Sequence, residues 1–224
     1  MHNMPDILDN DLKVQKNELI HIGKSLKIKD NQFVEPYCLL GIPPKRKECD
    51  RNLQIGDDCY IRSHSVIYAG TVIGAHFQTG HGVVIHENGI IGNRVSIGSK
   101  TIVERNVTIE DDVEILAQAF IAQFSIIRKN AWIGPNVVFT NTKFPRNNDP
   151  DEHLQGPEVQ EDVIIGANAT ILPGVVLGAG CLIGAGSVVV GDVEPDAVVV
   201  GNPARKINQR SQLRYDDTLK LVYS

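Results

Sequence analysis

The apolar positions of this chain recur at every sixth residue. From Ile55 the register runs through Ile61, Ile67 and Ile73, meets Thr79, and resumes at Ile85, Ile91, Ile97, Val103, Ile109, Ile115, Ile121, Ile127, Ile133 and Phe139. It restarts at Val159 and continues through Ile165, Ile171, Leu177, Ile183 and Val189; an early run of Ile22, Ile28, Val34 and Leu40 keeps the same step. The residue after the aliphatic one is often Gly, the next two are turn formers such as Asp57-Asp58 or Pro173-Gly174, and the fifth is small or β-branched. An α-helix repeats near 3.6 and a half-buried strand near 2, so neither template fits. A step of six describes a short strand followed by a corner. Stacked corners make a solenoid in which each coil buries the apolar row of its neighbours.

Two segments leave the register. Residues 42–54 carry Pro43-Pro44 and a charged run, and residues 145–158 read PRNNDPDEHLQGPE. Both are expected to be loops extruded from the solenoid, and a long polar loop on a rigid scaffold is a common seat of function. The chain therefore divides into an N-terminal segment (1–21), a solenoid (22–203) and a polar tail (204–224).

Composition narrows the function classes. The formal charge is −5 and the sequence pI about 5.8, which disfavours a nucleic-acid or anionic-membrane partner. No apolar run approaches the ~20 residues of a membrane span, and the first ten residues lack the pattern of a secretory signal. Cys38, Cys49, Cys59 and Cys181 show no paired metal spacing. They are expected to be reduced thiols of a cytoplasmic protein, with Cys59 and Cys181 on a small core position of the repeat.

A filled solenoid has no interior pocket, so chemistry is expected on its surface, where the packing rule breaks. Thr79 replaces the aliphatic residue and Phe77 the small one. Together they flank His81, which has Gly80 and Gly82 on either side. An imidazole there is a candidate general base. His86 follows five residues later. His64 lies 17 residues before His81, at the same corner one coil away.

The hexad register resembles that of the hexapeptide-repeat acyltransferases, over roughly Ile22 to Pro203. The resemblance implies a left-handed parallel β-helix with three hexads per 18-residue coil. It further implies a homotrimer with active sites between subunits and an acetyl-coenzyme A co-substrate without a metal. The segment from Trp132 to Arg146 resembles that of nucleotide-amino-sugar N-acetyltransferases, in which an Asn before the extruded loop contacts the sugar. Asn141 matches it, with His86, Lys143 and Arg146 as further substrate contacts. The C-terminal segment resembles the family's coenzyme A end. There Gly166, Ala167, Gly184 and Ala185 would line the pantetheine groove, and Arg205 and Lys206 would meet the nucleotide phosphates. Related galactoside and xenobiotic acetyltransferases carry a catalytic His where this chain has Phe144, which points toward an amine acceptor.

The expected function is acetylation of an amino sugar, carried on a nucleotide, for surface-polysaccharide synthesis. Three alternatives remain open: a sugar O-acetyltransferase, a γ-class carbonic anhydrase suggested by the His81/His86 spacing, and a hexapeptide scaffold without catalysis.

Overall fold

A computed structural model describes residues 21–22, 26–28, 31–45, 52–146, 153–215 and 217–223, with side chains described from residue 31 onward. The N-terminal segment up to residue 20 and Cys49 lie outside the described residues. The hexads form a parallel β-solenoid with three sheets of nine, eight and ten strands. Nearly all strands are two residues long, and strand partners such as Val84 and Ile102, or Ile90 and Thr108, lie 18 residues apart. The three sheets are named here by one strand each: sheet 1 contains Val84–Ile85, sheet 2 Ile90–Ile91 and sheet 3 Gln78–Thr79.

The first residue of each hexad points inward and forms one continuous core. Ile67, Ile85, Ile97, Ile115, Ile133, Ile165 and Ile183 are fully buried. The corners have their own rule. Every sixth residue from Asp58 to Asn136 has a positive φ, the left-handed conformation that Gly, Asn and Asp tolerate best. The glycine two places earlier answers to packing. A Cβ on Gly98 would lie 2.4 Å from the Ala117 nitrogen, and one on Gly166 would lie 2.5 Å from the Ala185 nitrogen. At these glycines the next corner therefore stacks too closely for a side chain.

Three departures from the 18-residue step occur. Leu26 pairs with Leu53 at an offset of 27, nine residues more than a coil. Ile126 pairs with Glu158 at an offset of 32, fourteen residues more. Both excursions leave from the corner that joins sheet 1 to sheet 2. The first starts after the Leu39–Ile42 strand and ends before Leu53–Ile55; the second starts after Val138–Phe139 and ends before Glu158–Val159. The coil is closed at the neck of the second loop, where the Gln155 amide donates to the Asn141 carbonyl (2.9 Å). At the far end the step shortens, with Leu182 facing Val198. The tail then turns back as an antiparallel strand, Ala204–Gln209, on the edge of sheet 3.

Cys38, Cys59 and Cys181 are buried free thiols. Burial pushes the Cys59 thiol up to about 11 and the Cys181 thiol up to about 12, so these sulfurs pack and do not react. Among the described residues no helix is long and apolar enough to cross a membrane.

Gly98→Ala tests the corner packing. The added methyl meets the Leu116–Ala117 backbone, which has no side chain to yield, and is expected to cost about 1–3 kcal/mol. A lowered denaturation midpoint in thermal or urea unfolding checks it; an unchanged midpoint would mean that adjacent coils separate easily.

Candidate active site

The three long edges of the prism differ in chemistry. The edge between sheets 2 and 3 is a ladder of paired polar residues one coil apart. Arg94 donates to Asp112 (2.6 Å), Asn130 to Asp162 (2.6 Å), and His76 lies 3.8 Å from Asp58. These groups satisfy one another, and their exposed pairs add little stability. His76 accordingly belongs to a structural ladder.

The edge between sheets 3 and 1 carries His81. It sits between two serines, each 18 residues away. Its Nδ1 lies 3.0 Å from Ser63 Oγ, and its backbone amide donates to Ser99 Oγ (3.0 Å). The same Nδ1 is 3.6 Å from Glu35 Oε2. Among the described residues Nε2 has no hydrogen-bond partner, and the side chain is 56% exposed. A carboxylate accepts and never donates. Glu35 therefore favours a proton on Nδ1, which leaves the Nε2 lone pair facing outward.

Glu35 is itself held. The Ser63 amide donates to Oε2 (3.0 Å), while the Tyr60 hydroxyl (2.9 Å) and Arg62 Nη1 (3.1 Å) donate to Oε1. The Ser63 amide holds the Glu35 carboxyl below its ordinary range, against the upward push of burial, with Tyr60, Arg62 and His81 adding in the same downward direction. His64 joins the cluster: its Nδ1 lies 3.1 Å from the same Ser63 hydroxyl, and its ring stacks on Tyr37.

The break in the apolar register now has a local cause. Thr79 is buried, and its hydroxyl accepts the Arg62 amide (2.9 Å). In the next coil the equivalent amide, that of Gly80, donates to the backbone carbonyl of Ile97. The strand ladder at this point pairs only Tyr60 with Gln78. Thr79 thus fixes the backbone that carries Ser63 beneath His81, while fully buried Phe77 restores volume to the core.

The same edge continues as a track of small residues. Successive coils place Ser99, Ala117, Pro135, Ala167 and Ala185 at the position of His81. Five coils from His81 to Ala185 span about 24 Å at the strand spacing. Ala167 and Ala185 lie on this track as the sequence suggests. Gly166 and Gly184 sit beside them, but their amides already donate to Ile183 and Val199. Arg205 and Lys206 line a cleft of about 340 Å³ at the end of the solenoid, with Val190, Gly191 and Asp192 on its other side. Lys206 is paired with Glu194 (2.7 Å).

The edge between sheets 1 and 2 carries His86, Asn141 and both loops. His86 stacks on Tyr68, and its two nitrogens face Glu87 (3.8 Å) and Glu104 (3.9 Å). Neither is the open acceptor that His81 Nε2 is. Asn141 is half-buried at the loop neck, and Lys143, Phe144 and Arg146 beyond it are exposed. The structure therefore places His81 on one edge and Asn141 on another, about three coils or 14 Å further along. His81 and His86 engage different carboxylates on different edges. Among the described residues no group of His, Cys, Asp or Glu side chains gathers around a metal-sized site.

Between these two edges lies sheet 1, whose outward row is Leu39, Val66, Val84, Ile102, Phe120 and Val138. Leu39, Ile102 and Val138 are 36–38% exposed. This is an uncharged apolar strip with His81 on one flank and Asn141 on the other.

Glu35 supplies a stability prediction. Its folded pKa is depressed, so the stability it contributes is present above its unfolded value of about 4.3 and is lost as pH falls through the lower folded value. Unfolding midpoints followed from neutral pH to below about 4 should fall less steeply in Glu35→Gln than in the parent. Parallel curves would show that the four contacts to this carboxylate contribute nothing to folding.

The chain is similar to several known proteins. A model of the bacterial transferase hexapeptide (six repeats) matches residues 156–191. The chloramphenicol acetyltransferase of Agrobacterium fabrum is 29% identical over 86% of this chain and 82% of its own length. A 2,3,4,5-tetrahydropyridine-2,6-dicarboxylate N-acetyltransferase of Staphylococcus aureus is 38% identical over 42% of this chain, which spans only 36% of that protein. Among solved structures, a hexapeptide-repeat containing acetyltransferase of Vibrio cholerae complexed with acetyl coenzyme A is 27% identical over 53% of this chain and 69% of its own, with a TM-score of 0.47. The hexad register of the described coils and the repeat match at residues 156–191 thus make this chain similar to the hexapeptide-repeat transferases.

Proposed function

We propose that the chain transfers an acetyl group from acetyl-coenzyme A to the amine of a sugar carried on a nucleotide, in the cytoplasm, as a step toward a surface polysaccharide. The observation that carries this reading is the setting of His81, a solvent-facing imidazole anchored through Nδ1 at the head of a track of small residues. The acceptor nitrogen attacks the thioester carbonyl carbon. The carbonyl oxygen takes up the charge, His81 Nε2 takes the proton from the nitrogen, and the tetrahedral intermediate collapses with loss of the thiolate, which the imidazolium then protonates. The pantetheine arm would lie along Ala167 and Ala185, with Arg205 and Lys206 toward its phosphates. Lys206 would exchange Glu194 for phosphate, since its present partner is a single exposed carboxylate.

One copy holds the base and the sugar-binding Asn141 on separate edges, so the reading includes a homotrimer. Packing the apolar strip of sheet 1 against a neighbour would bring the His81 edge of one subunit toward the loop edge of the next. Phe144 supports an amine acceptor. It is 66% exposed and offers no proton acceptor at the position where the O-acetylating branches carry a base. A second acceptor class, a small antibiotic-like molecule, is favoured by the Agrobacterium relative's name and belongs in the same screen.

Acyl transfer is read by release of free thiol from acetyl-coenzyme A, with nucleotide-linked amino sugars, free amino sugars and chloramphenicol as acceptors. His81→Ala is expected to lower kcat by about 100-fold or more and to leave the Kd of acetyl-coenzyme A unchanged. A parent protein with no measurable affinity for acetyl-coenzyme A would refute the transferase reading, and an unimpaired His81→Ala would remove this residue from the reaction. Asn141→Ala is expected to raise KM for the acceptor alone; an equal loss of donor affinity would place Asn141 outside the sugar site.

A further inference from the structure

The left-handed corners hold Gly, Asn, Asp, Gln, His, Arg or Lys at every sixth residue from Asp58 to Asn136, with one exception, Phe124 (φ 67°). A bulky aromatic residue is an outlier in this conformation, and such strain concentrates at functional sites. Tyr37 is a comparable aromatic corner nearer the N-terminus, but its ring is stacked on His64. The Phe124 ring is 41% exposed, and among the described residues no ring stacks on it.

Phe124 also interrupts a ladder. On the loop edge Asn88 donates to Asn106 (3.2 Å), one coil below. An asparagine at 124 would be the next rung. The chain instead places an aromatic face there, directly under the second loop. A Cβ on Gly156, where that loop rejoins the coil, would lie 2.5 Å from the Phe124 carbonyl carbon. The loop begins one coil further along the same edge with Lys143 and Arg146, both exposed. An exposed ring one coil from a loop that carries two cations, one of them Lys143 resting 5.7 Å from the Phe144 ring centroid, suits a ligand that joins a planar base to phosphates. Base–aromatic stacking tolerates any base, and the cations answer the phosphate charge. An apolar protein partner is less well matched, because the partly exposed corner neighbours along this edge are Glu104, Arg105 and Asn106.

We propose that Phe124 is the stacking platform for the base of a bound nucleotide, with Lys143 and Arg146 meeting its phosphates. The nucleotide has two sources under the transferase reading, on which this inference rests: the carrier of the acceptor sugar, or the adenosine end of coenzyme A, in which case Lys143 and Arg146 take the place of Arg205 and Lys206 at its phosphates. The ring holds its position against backbone preference because it binds, so stability and binding should change in opposite directions.

Phe124→Asn tests this. Its thermal midpoint is expected to rise, as the corner relaxes and the asparagine ladder extends, while nucleotide affinity falls by about tenfold or more. Calorimetry with UDP, dTDP and GDP forms one arm, and 3′-phosphoadenosine 5′-diphosphate the other. Loss confined to one arm supports the proposal and names the source. Phe124→Trp should retain binding. A raised midpoint with unchanged affinity in both arms overturns the proposal. So does a change in sedimentation without a change in affinity, which assigns the ring to a subunit contact. The outcome is separable from that of the transferase reading. Phe124-dependent nucleotide binding without acetyl transfer leaves this inference standing alone. Transfer to free sugars with no nucleotide affinity removes it and leaves the enzyme.

Discussion

Each coil of this protein can bury its aliphatic residue only against the same residue of the coils on either side. That one constraint sets almost everything else. It requires a strict step of 18 residues between strand partners, and it brings some corners so close together that Gly98 and Gly166 admit no Cβ. It also fills the interior. Ile67, Ile85 and Ile97 leave no room for a ligand, so specificity and chemistry must be written on the edges, in residues that the core does not recruit.

The edges have divided that work. One is closed on itself by pairs such as Arg94 with Asp112. The other two present groups with spare capacity: a histidine with an outward nitrogen on one, and a half-buried amide at a loop neck on the other. A strip of exposed valine, isoleucine and leucine separates them. A single chain thus keeps His81 and Asn141 apart, and under the proposed function the apolar strip between them is where a second copy would pack.

Much of this was legible in the sequence. The step of six gave the strands, the corners and the inward row, and the Thr79 exception pointed to the corner of His81. The 18-residue spacing also contained Ser63 and Ser99, which sandwich that histidine, although nothing in their identity marked them. Glu35 was hidden because the nine-residue excursion between it and His81 displaces it from the count. The role of Thr79 was hidden for another reason: a hydroxyl that captures a backbone amide leaves the same pattern as one that merely interrupts a core. The strain at Phe124 was invisible because a corner position is recognised by its usual occupants, and the sequence does not state a φ angle.

The neck between Asn141 and Gln155 has a consequence for how such a protein changes over time. Because the Gln155 amide closes the coil onto the Asn141 carbonyl there, the fourteen residues by which Ile126 and Glu158 exceed one coil fall outside the 18-residue step. Their number is free, and an insertion or deletion among them shifts no strand and no corner. The scaffold and its loop can thus vary on separate clocks, with one held to an unforgiving arithmetic and the other open to revision at a fixed address.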